Sequence, residues 1–150
     1  MLFRSLDATV VFYDPQVDVA VLYVPGLNLS PLHFAGQANP GASAVVAGYP
    51  LDAQRLHAAP ARIGGIQNAQ GPNIYQTATV TRQIYEIRAV VESGNSGGPL
   101  LASDGTVYGV VFAAAVGVDD TGFALTAAQV HADAQAGEHS TIAVSTMNCD

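Results

Sequence analysis

Short apolar runs, each stopped by glycine, proline, asparagine or aspartate, commit this chain to β-structure. Ala8-Thr9-Val10-Val11-Phe12-Tyr13 ends at Asp14-Pro15, and the run over residues 17–24 ends at Pro25-Gly26. Residues 44–50, 57–65, 79–89, 100–101, 107–112 and 123–125 repeat the pattern. Such runs are short for buried helices and rich in β-branched residues, which suit strands. Fifteen Gly and eight Pro supply the punctuation. Residues 25–41 read as a long connection, 51–56 as a turn and 67–75 as a loop around Gly71-Pro72-Asn73. Pro60 argues for an edge or bulge in its strand. One segment differs. Thr126 precedes residues 127–136 with Gln129 three positions on, the spacing of a capping box, and Gly137 follows, so a short helix is expected there. The tail, 138–150, is polar and reads as weakly structured. The expected class is all-β with a short C-terminal helix.

Composition narrows the function. With 49% hydrophobic and 11% charged residues the chain is globular, and 150 residues suffice for a core. The net charge is −7 and every one of the five basic residues is Arg, which leaves no electrostatic footprint for nucleic acid. No apolar stretch reaches the roughly 18–20 residues of a membrane span. The first residues, Met1-Leu2-Phe3-Arg4-Ser5-Leu6-Asp7, lack the apolar core of a signal peptide. No His, Cys and acidic residues share metal-ligand spacing and no phosphate-binding glycine loop precedes a helix, so no metal or cofactor is expected.

Chemistry concentrates in Gly94-Asn95-Ser96-Gly97-Gly98-Pro99, which runs into the apolar Leu100-Leu101. A hydroxyl projected from a tight turn into a cleft needs flexible neighbours. Gly97 and Gly98 let the chain turn and a substrate backbone approach, and Gly94 leaves its own N–H uncovered. The plain alternative is a glycine-rich hairpin without chemistry. The six residues resemble the nucleophile turn of chymotrypsin-like serine proteases. That likeness implies Ser96 as nucleophile and the N–H groups of Gly94 and Ser96 as the oxyanion hole.

Asp18 lies between Val17 and Val19 in the second apolar run. A buried, unpaired carboxylate there is costly, whereas strict alternation would turn it to solvent. The segment Tyr13-Asp14-Pro15…Asp18-Val19-Ala20-Val21-Leu22 resembles the one that carries the triad aspartate in trypsin-like and HtrA-like proteases. In that role Asp18 would orient the catalytic imidazole. The imidazole should precede Asp18, yet none of the seventeen residues before it is His. The four histidines, His33, His57, His131 and His139, stand in no comparable motif and read as surface or satisfied polar groups.

Gly48-Tyr49-Pro50 resembles a motif of bacterial members of the protease family, and further likeness runs through Ala59-Pro60-Ala61-Arg62-Ile63, Val80-Thr81-Arg82, Ile87-Arg88-Ala89, Gly109-Val110-Val111-Phe112 and Thr121-Gly122-Phe123. It is to the MarP-like membrane-anchored periplasmic serine proteases of actinobacteria. Those proteins place N-terminal transmembrane helices before a double β-barrel, and a disulfide joins a Cys ahead of the first barrel to one near the C-terminus. The resemblance implies a chymotrypsin-like double β-barrel whose first barrel is incomplete here. Residues 1–25 would be its remnant, 26–43 the linker, 44–137 the complete second barrel plus helix, and 138–150 a tail. Cys149, the single cysteine, would lack its disulfide partner. Strand faces at residues 10–12 and 19–22 would be left open.

The implied function is a serine endopeptidase acting on protein or peptide, extracytoplasmic, and tied to a membrane only through a missing N-terminal region. Without its His the chain as written is expected to be inactive. The alternative is a non-catalytic, protease-like peptide-binding module. The specificity pocket is expected among Ala89, Val90 and Val91, Phe112, Ala113 and Ala114, and Gly122, Phe123 and Ala124. No acid occupies residues 89–91, so an apolar pocket without preference for Lys or Arg is expected.

Overall fold

A computed structural model describes residues 5–51, 53–118 and 120–147. The elements are β1 (Thr9–Asp14), β2 (Val19–Tyr23), β3 (Ser43–Gly48), β4 (His57–Pro72), β5 (Thr79–Arg88), β6 (Pro99–Ala102), β7 (Val107–Ala114), β8 (Thr121–Thr126) and the helix α1 (Ala127–Gly137). The class is mostly β with one short helix, as expected. The chain forms two compact units. One contains residues 32–70 and 81–130; the other contains 5–31, 71–80 and 131–147. No helix among the described residues is long and apolar enough to cross a membrane.

In the larger unit six strands close into a barrel in the order β3-β4-β5-β8-β7-β6. Period-2 alternation aims one face of each strand inward. Ala44 and Val46 of β3, Ala61 and Ile63 of β4, Tyr85 and Ile87 of β5, Leu100 of β6, Val111 of β7 and Ala124 of β8 form the core. Alanines predominate because the interior of a small barrel is narrow. Tyr85 is the largest buried side chain, 1% exposed. Its ring meets Tyr108 edge-on at 6.4 Å, and its hydroxyl accepts a 2.8 Å bond from the Ala38 N–H. A buried phenol needs such a partner. The bond also ties the connection before β3 to the core, and the Ala35 N–H adds to this by donating to the Val107 carbonyl at 2.8 Å.

Three local expectations change. β4 runs on through Gly71 and Pro72, where the sequence suggested a loop. Its far end is mostly exposed, so no hydrophobic alternation marks it; the ladder to β5 sustains it. Pro60 sits opposite Val45 in unbroken register, in a strand with neighbours on both sides, and not at an edge or bulge. Its exposed ring lies on the face opposite buried Ala59 and Ala61, so the strand forgoes one donor and nothing else. The capping box is half formed. Gln129 N donates to Thr126 Oγ1 at 3.1 Å, but the Gln129 side chain accepts from Gln83 N at 2.9 Å.

In the smaller unit β1 and β2 pair as an antiparallel hairpin with an irregularity between Val10 and Phe12. Asp14 builds the turn: its Oδ1 accepts from Gln16 N at 2.7 Å and Val17 N at 3.2 Å, and its carbonyl accepts from Asp18 N at 2.9 Å. Asp18 is therefore the last turn residue, not part of a strand, with φ 71 and an exposed side chain. Aspartate tolerates this left-handed geometry better than most residues. The tail is better tethered than expected. Val144 N donates to the Val10 carbonyl at 2.9 Å, and the Tyr75 hydroxyl donates to the Thr146 carbonyl at 2.6 Å. Val11 is 4% exposed, so β1 is not open as expected, whereas Leu22 on β2 is 54% exposed. Cys149 lies outside the described residues.

Asp133 on α1 is half-buried, and its Oδ2 is out of solvent without a hydrogen-bond partner among the described residues. Burial, and then the nearby Asp14 charge, push its carboxyl above the ordinary value of 3.8. The native state thus holds a proton that the unfolded chain releases. This contribution to stability is full below the ordinary value and is lost as pH rises through the elevated one. Asp133→Asn should therefore flatten the stability profile and gain most, relative to the parent, near neutral pH. Urea midpoints measured across the acidic-to-neutral range check this; parallel profiles for the two proteins would refute it.

Candidate active site

The turn at residues 92–98 is stitched at both ends. Asn95 N donates to the Glu92 carbonyl and Gly98 N to the Asn95 carbonyl, each at 3.0 Å. Gly97 N reaches the Val111 carbonyl at 2.8 Å, and Val111 N returns to Gly98 O at 2.9 Å. Asn95, 2% exposed, anchors the turn inward, while the next residue, Ser96, is exposed. Its Oγ donates to the Phe112 carbonyl at 3.3 Å. Among the described residues the N–H groups of Gly94 and Ser96 have no hydrogen-bond partner.

Gly94 is required where it stands. Its φ is 98, and an added Cβ would overlap the Tyr49 carbonyl oxygen and come within 2.8 Å of Leu51 N. Leu51 N donates to the Ser93 carbonyl at 2.7 Å and holds the two segments together. The turn conformation that leaves two N–H groups free beside the hydroxyl thus depends on a missing side chain.

A cleft of about 420 Å³ opens in the same unit. Ala89, Val90 and Val91 form one wall and Ala114, Ala115 and Val118 the other, with Asp120 and Thr121 between. Of the expected pocket residues, Ala89, Val90, Val91 and Ala114 line it directly. Phe112 and Ala113 precede Ala114 on β7, and Phe123 pairs with Ala113. Gly122 stands behind the wall: a Cβ there would run into Val91. Asp120 went unnoticed in the sequence, so the acid-free expectation for residues 89–91 does not extend to the whole cleft. The signal was available, because Asp120 immediately precedes Thr121, the first residue of β8. A second cavity, about 450 Å³, lies among Pro50, Arg55, Leu56, His57 and Glu92.

The other expected residues are distributed over both units. Asp18 belongs to the smaller unit. His33 and His57 are in the larger unit, both exposed, and neither hydrogen-bonds Ser96 among the described residues. His131 and His139 are exposed residues of the smaller unit.

Comparison with known proteins gives this geometry a context. A profile of the trypsin-like peptidase domain matches residues 3–110. Serine protease Rv3671c of Mycobacterium tuberculosis H37Rv is 51% identical over 129 residues, covering 85% of this chain and 32% of that protein. The chain thus spans about a third of the length of that relative. A Chlamydia pneumoniae protein described as "Probable periplasmic serine endoprotease DegP-like" is 34% identical over 109 residues, 71% of this chain and 21% of its own. The crystal structure of the active form of the Rv3671c protease superposes with a TM-score of 0.91 at 48% identity, over 96% of this chain and 63% of that one. The inactive form gives 0.78 at 49% identity, over 88% and 67%.

The contrast between Gly94 and Gly97 is testable. Gly97 also has positive φ, 83, but a Cβ there meets open space. Gly97→Ala should cost about 1 kcal/mol, the backbone term alone, and Gly94→Ala about 2–3 kcal/mol because crowding is added. Chemical denaturation of both variants measures the difference; equal losses would mean that Tyr49 does not crowd the position.

Proposed function

The chain belongs to the trypsin-like peptidase family and has its chymotrypsin-like fold, and from that membership we propose that its site is built for acyl transfer on protein or peptide substrates. Ser96 is the nucleophile, and Gly94 and Ser96 N–H groups receive the oxyanion. The observation that carries the reading is the pair of unpartnered N–H groups beside an exposed hydroxyl on a turn anchored to β7. Donors already in place need no reorganisation as charge develops, and one such donor is worth roughly 10²–10³ in kcat. Ser96 adds to the carbonyl carbon while its proton passes to an imidazole; the leaving amine then takes that proton, and water releases the acyl group.

Asp18 is assigned to orient that imidazole. Within these residues no His precedes Asp18, so the imidazole comes from outside them. Residues 1–25 then correspond to part of a first barrel, 26–43 to the linker, 44–137 to the second barrel with its helix, and 138–150 to a tail. The substrate side chain enters the cleft at Val90 and Ala114, with Phe112, Ala113, Gly122 and Phe123 shaping its walls from β7 and β8. An extracytoplasmic setting is the corresponding proposal, supported by the Chlamydia pneumoniae relative, whose name describes it as periplasmic.

A non-catalytic, peptide-binding role has one observation in its favour: the Ser96 hydroxyl donates to the Phe112 carbonyl and not to a base. Loss of one triad member lowers kcat by roughly 10⁴–10⁶, so residues 1–150 alone should show negligible peptidase activity. A fluorophosphonate serine probe, with Ser96→Ala as control, separates the cases. Slow or absent labelling of the 150-residue chain, and Ser96-dependent labelling of the same sequence in a longer chain that supplies a His, is the expected outcome. No labelling in the longer chain would favour the binding role; fast labelling of the short chain would reveal a base within it.

A further inference from the structure

Asp18 leaves the β1–β2 turn in a conformation that its own side chain does not hold. Its φ is 71, in the left-handed region, and its side chain is exposed. Among the described residues no donor engages its carboxylate. Aspartate tolerates left-handed backbone, yet the extended and right-handed regions remain easier for it. The turn must therefore be fixed by another residue.

Asp14 does this. It is the last residue of β1 and lies opposite Val19, the first of β2, so the ladder sets its backbone. Gln16 N and Val17 N donate to its Oδ1 at 2.7 and 3.2 Å, and Asp18 N donates to its carbonyl at 2.9 Å. Pro15 has no N–H, so Asp14 takes every backbone donor of the four residues between the strands. Neighbouring N–H groups are the usual local partners of an aspartate side chain. With these already taken, the Asp18 carboxylate stays free. The turn is held at its start as well. Ile74 N donates to the Pro15 carbonyl at 3.1 Å, from a loop built on buried Asn73. Asn73 Oδ1 accepts from Thr77 N at 2.9 Å, and its Nδ2 donates to Thr77 Oγ1 at 3.0 Å. That loop fixes where the turn begins, whereas the Asp14 bonds fix how it ends at Asp18.

We propose that Asp14 is a positioning residue. By closing the turn on its own carboxylate and carbonyl it aims the Asp18 carboxylate and keeps it unengaged for the imidazole. The proposal rests on the assignment of Asp18 to orient that imidazole, and Asp14 acts through Asp18 and not on substrate. The side-chain bonds are the part that a substitution removes: Asp14→Asn keeps an acceptor oxygen, and Asp14→Ala does not.

The test uses the longer chain that supplies a His, with kcat and KM corrected for the folded fraction taken from each variant's urea transition. Asp14→Ala should lower kcat about 10²-fold with KM unchanged, the scale of a roughly 1 Å misplacement in a site. Asp14→Asn should stay within a few-fold of the parent. Asp18→Asn should cost about 10⁴-fold, and adding Asp14→Ala to it should cost nothing further. In the 150-residue chain the Asp18 amide should exchange faster in Asp14→Ala than in the parent or in Asp14→Asn. Full activity in Asp14→Ala, equal losses in Asp14→Ala and Asp14→Asn, additive losses in the double variant, or unchanged exchange at Asp18 would each overturn the proposal and leave the role of Asp18 standing. If Asp18→Asn leaves kcat unchanged, the assignment of Asp18 fails, and the role of Asp14 fails with it.

Discussion

Two hydrogen bonds between the 95–98 turn and Val111 organise most of what surrounds Ser96. Gly97 donates to the Val111 carbonyl and Val111 donates to that of Gly98. Val111 is itself fully buried in the barrel core, 0% exposed. A loop fixed to a packed residue inherits the rigidity of the core, because moving it means opening a close-packed interior. On one side of that pair the chain passes into β6; on the other β7 continues through Phe112 to Ala114 and forms a cleft wall. The exposed hydroxyl and the cleft that would receive its substrate are thus referenced to the same residue.

The barrel makes this possible by being narrow. Ala44, Ala61, Ala89 and Ala124 let the strands approach closely, and a single tyrosine fills the space they leave. That choice has a polar consequence, since the Tyr85 hydroxyl must be satisfied inside. The partner is Ala38 N–H, from the segment before β3. A stretch that reads as an open linker is consequently held to the barrel from Leu32 onward, with Phe34 bridged to Val107 in parallel fashion. Connections are shaped by the hydrogen bonds they can complete as much as by their own composition.

How much of this was legible in the sequence depended on whether the signal was local. Alternating apolar residues marked β3, β7 and β8, and Thr126 with Gly137 bounded α1, because periodicity and caps are local chemistry. The six residues at 94–99 disclosed the turn for the same reason. The far half of β4 was hidden because its ends face solvent on both sides. Asp18 read as a strand residue because the Asp14 side chain and carbonyl, which hold the turn open to residue 18, leave no periodic trace. The tethered tail depended on Tyr75 and Val10, distant in sequence, which no pattern within residues 138–147 could announce. Asp120 was passed over because an acid was sought only at residues 89–91, although the expected pocket also took in Gly122, Phe123 and Ala124 at the start of β8.

The described site is therefore uneven in its preparation. Its electrostatic half is fixed: Gly94 gives up a side chain and adopts positive φ so that two N–H groups remain free. Strain of this kind persists only where surrounding structure over-determines it, and here Tyr49, Leu51 and the Val111 stitches do so. Its proton-transfer half is not fixed, since the Ser96 hydroxyl rests on a backbone carbonyl at 3.3 Å. That bond is long and neutral, and an imidazole at ordinary hydrogen-bond distance would compete with it at little cost. On the proposed reading, a barrel that holds two free N–H groups through its own core and leaves the neighbouring hydroxyl lightly held would accept a base without being remodelled. The division follows from connectivity: the donors belong to the turn that β7 anchors, whereas a base need only reach the hydroxyl.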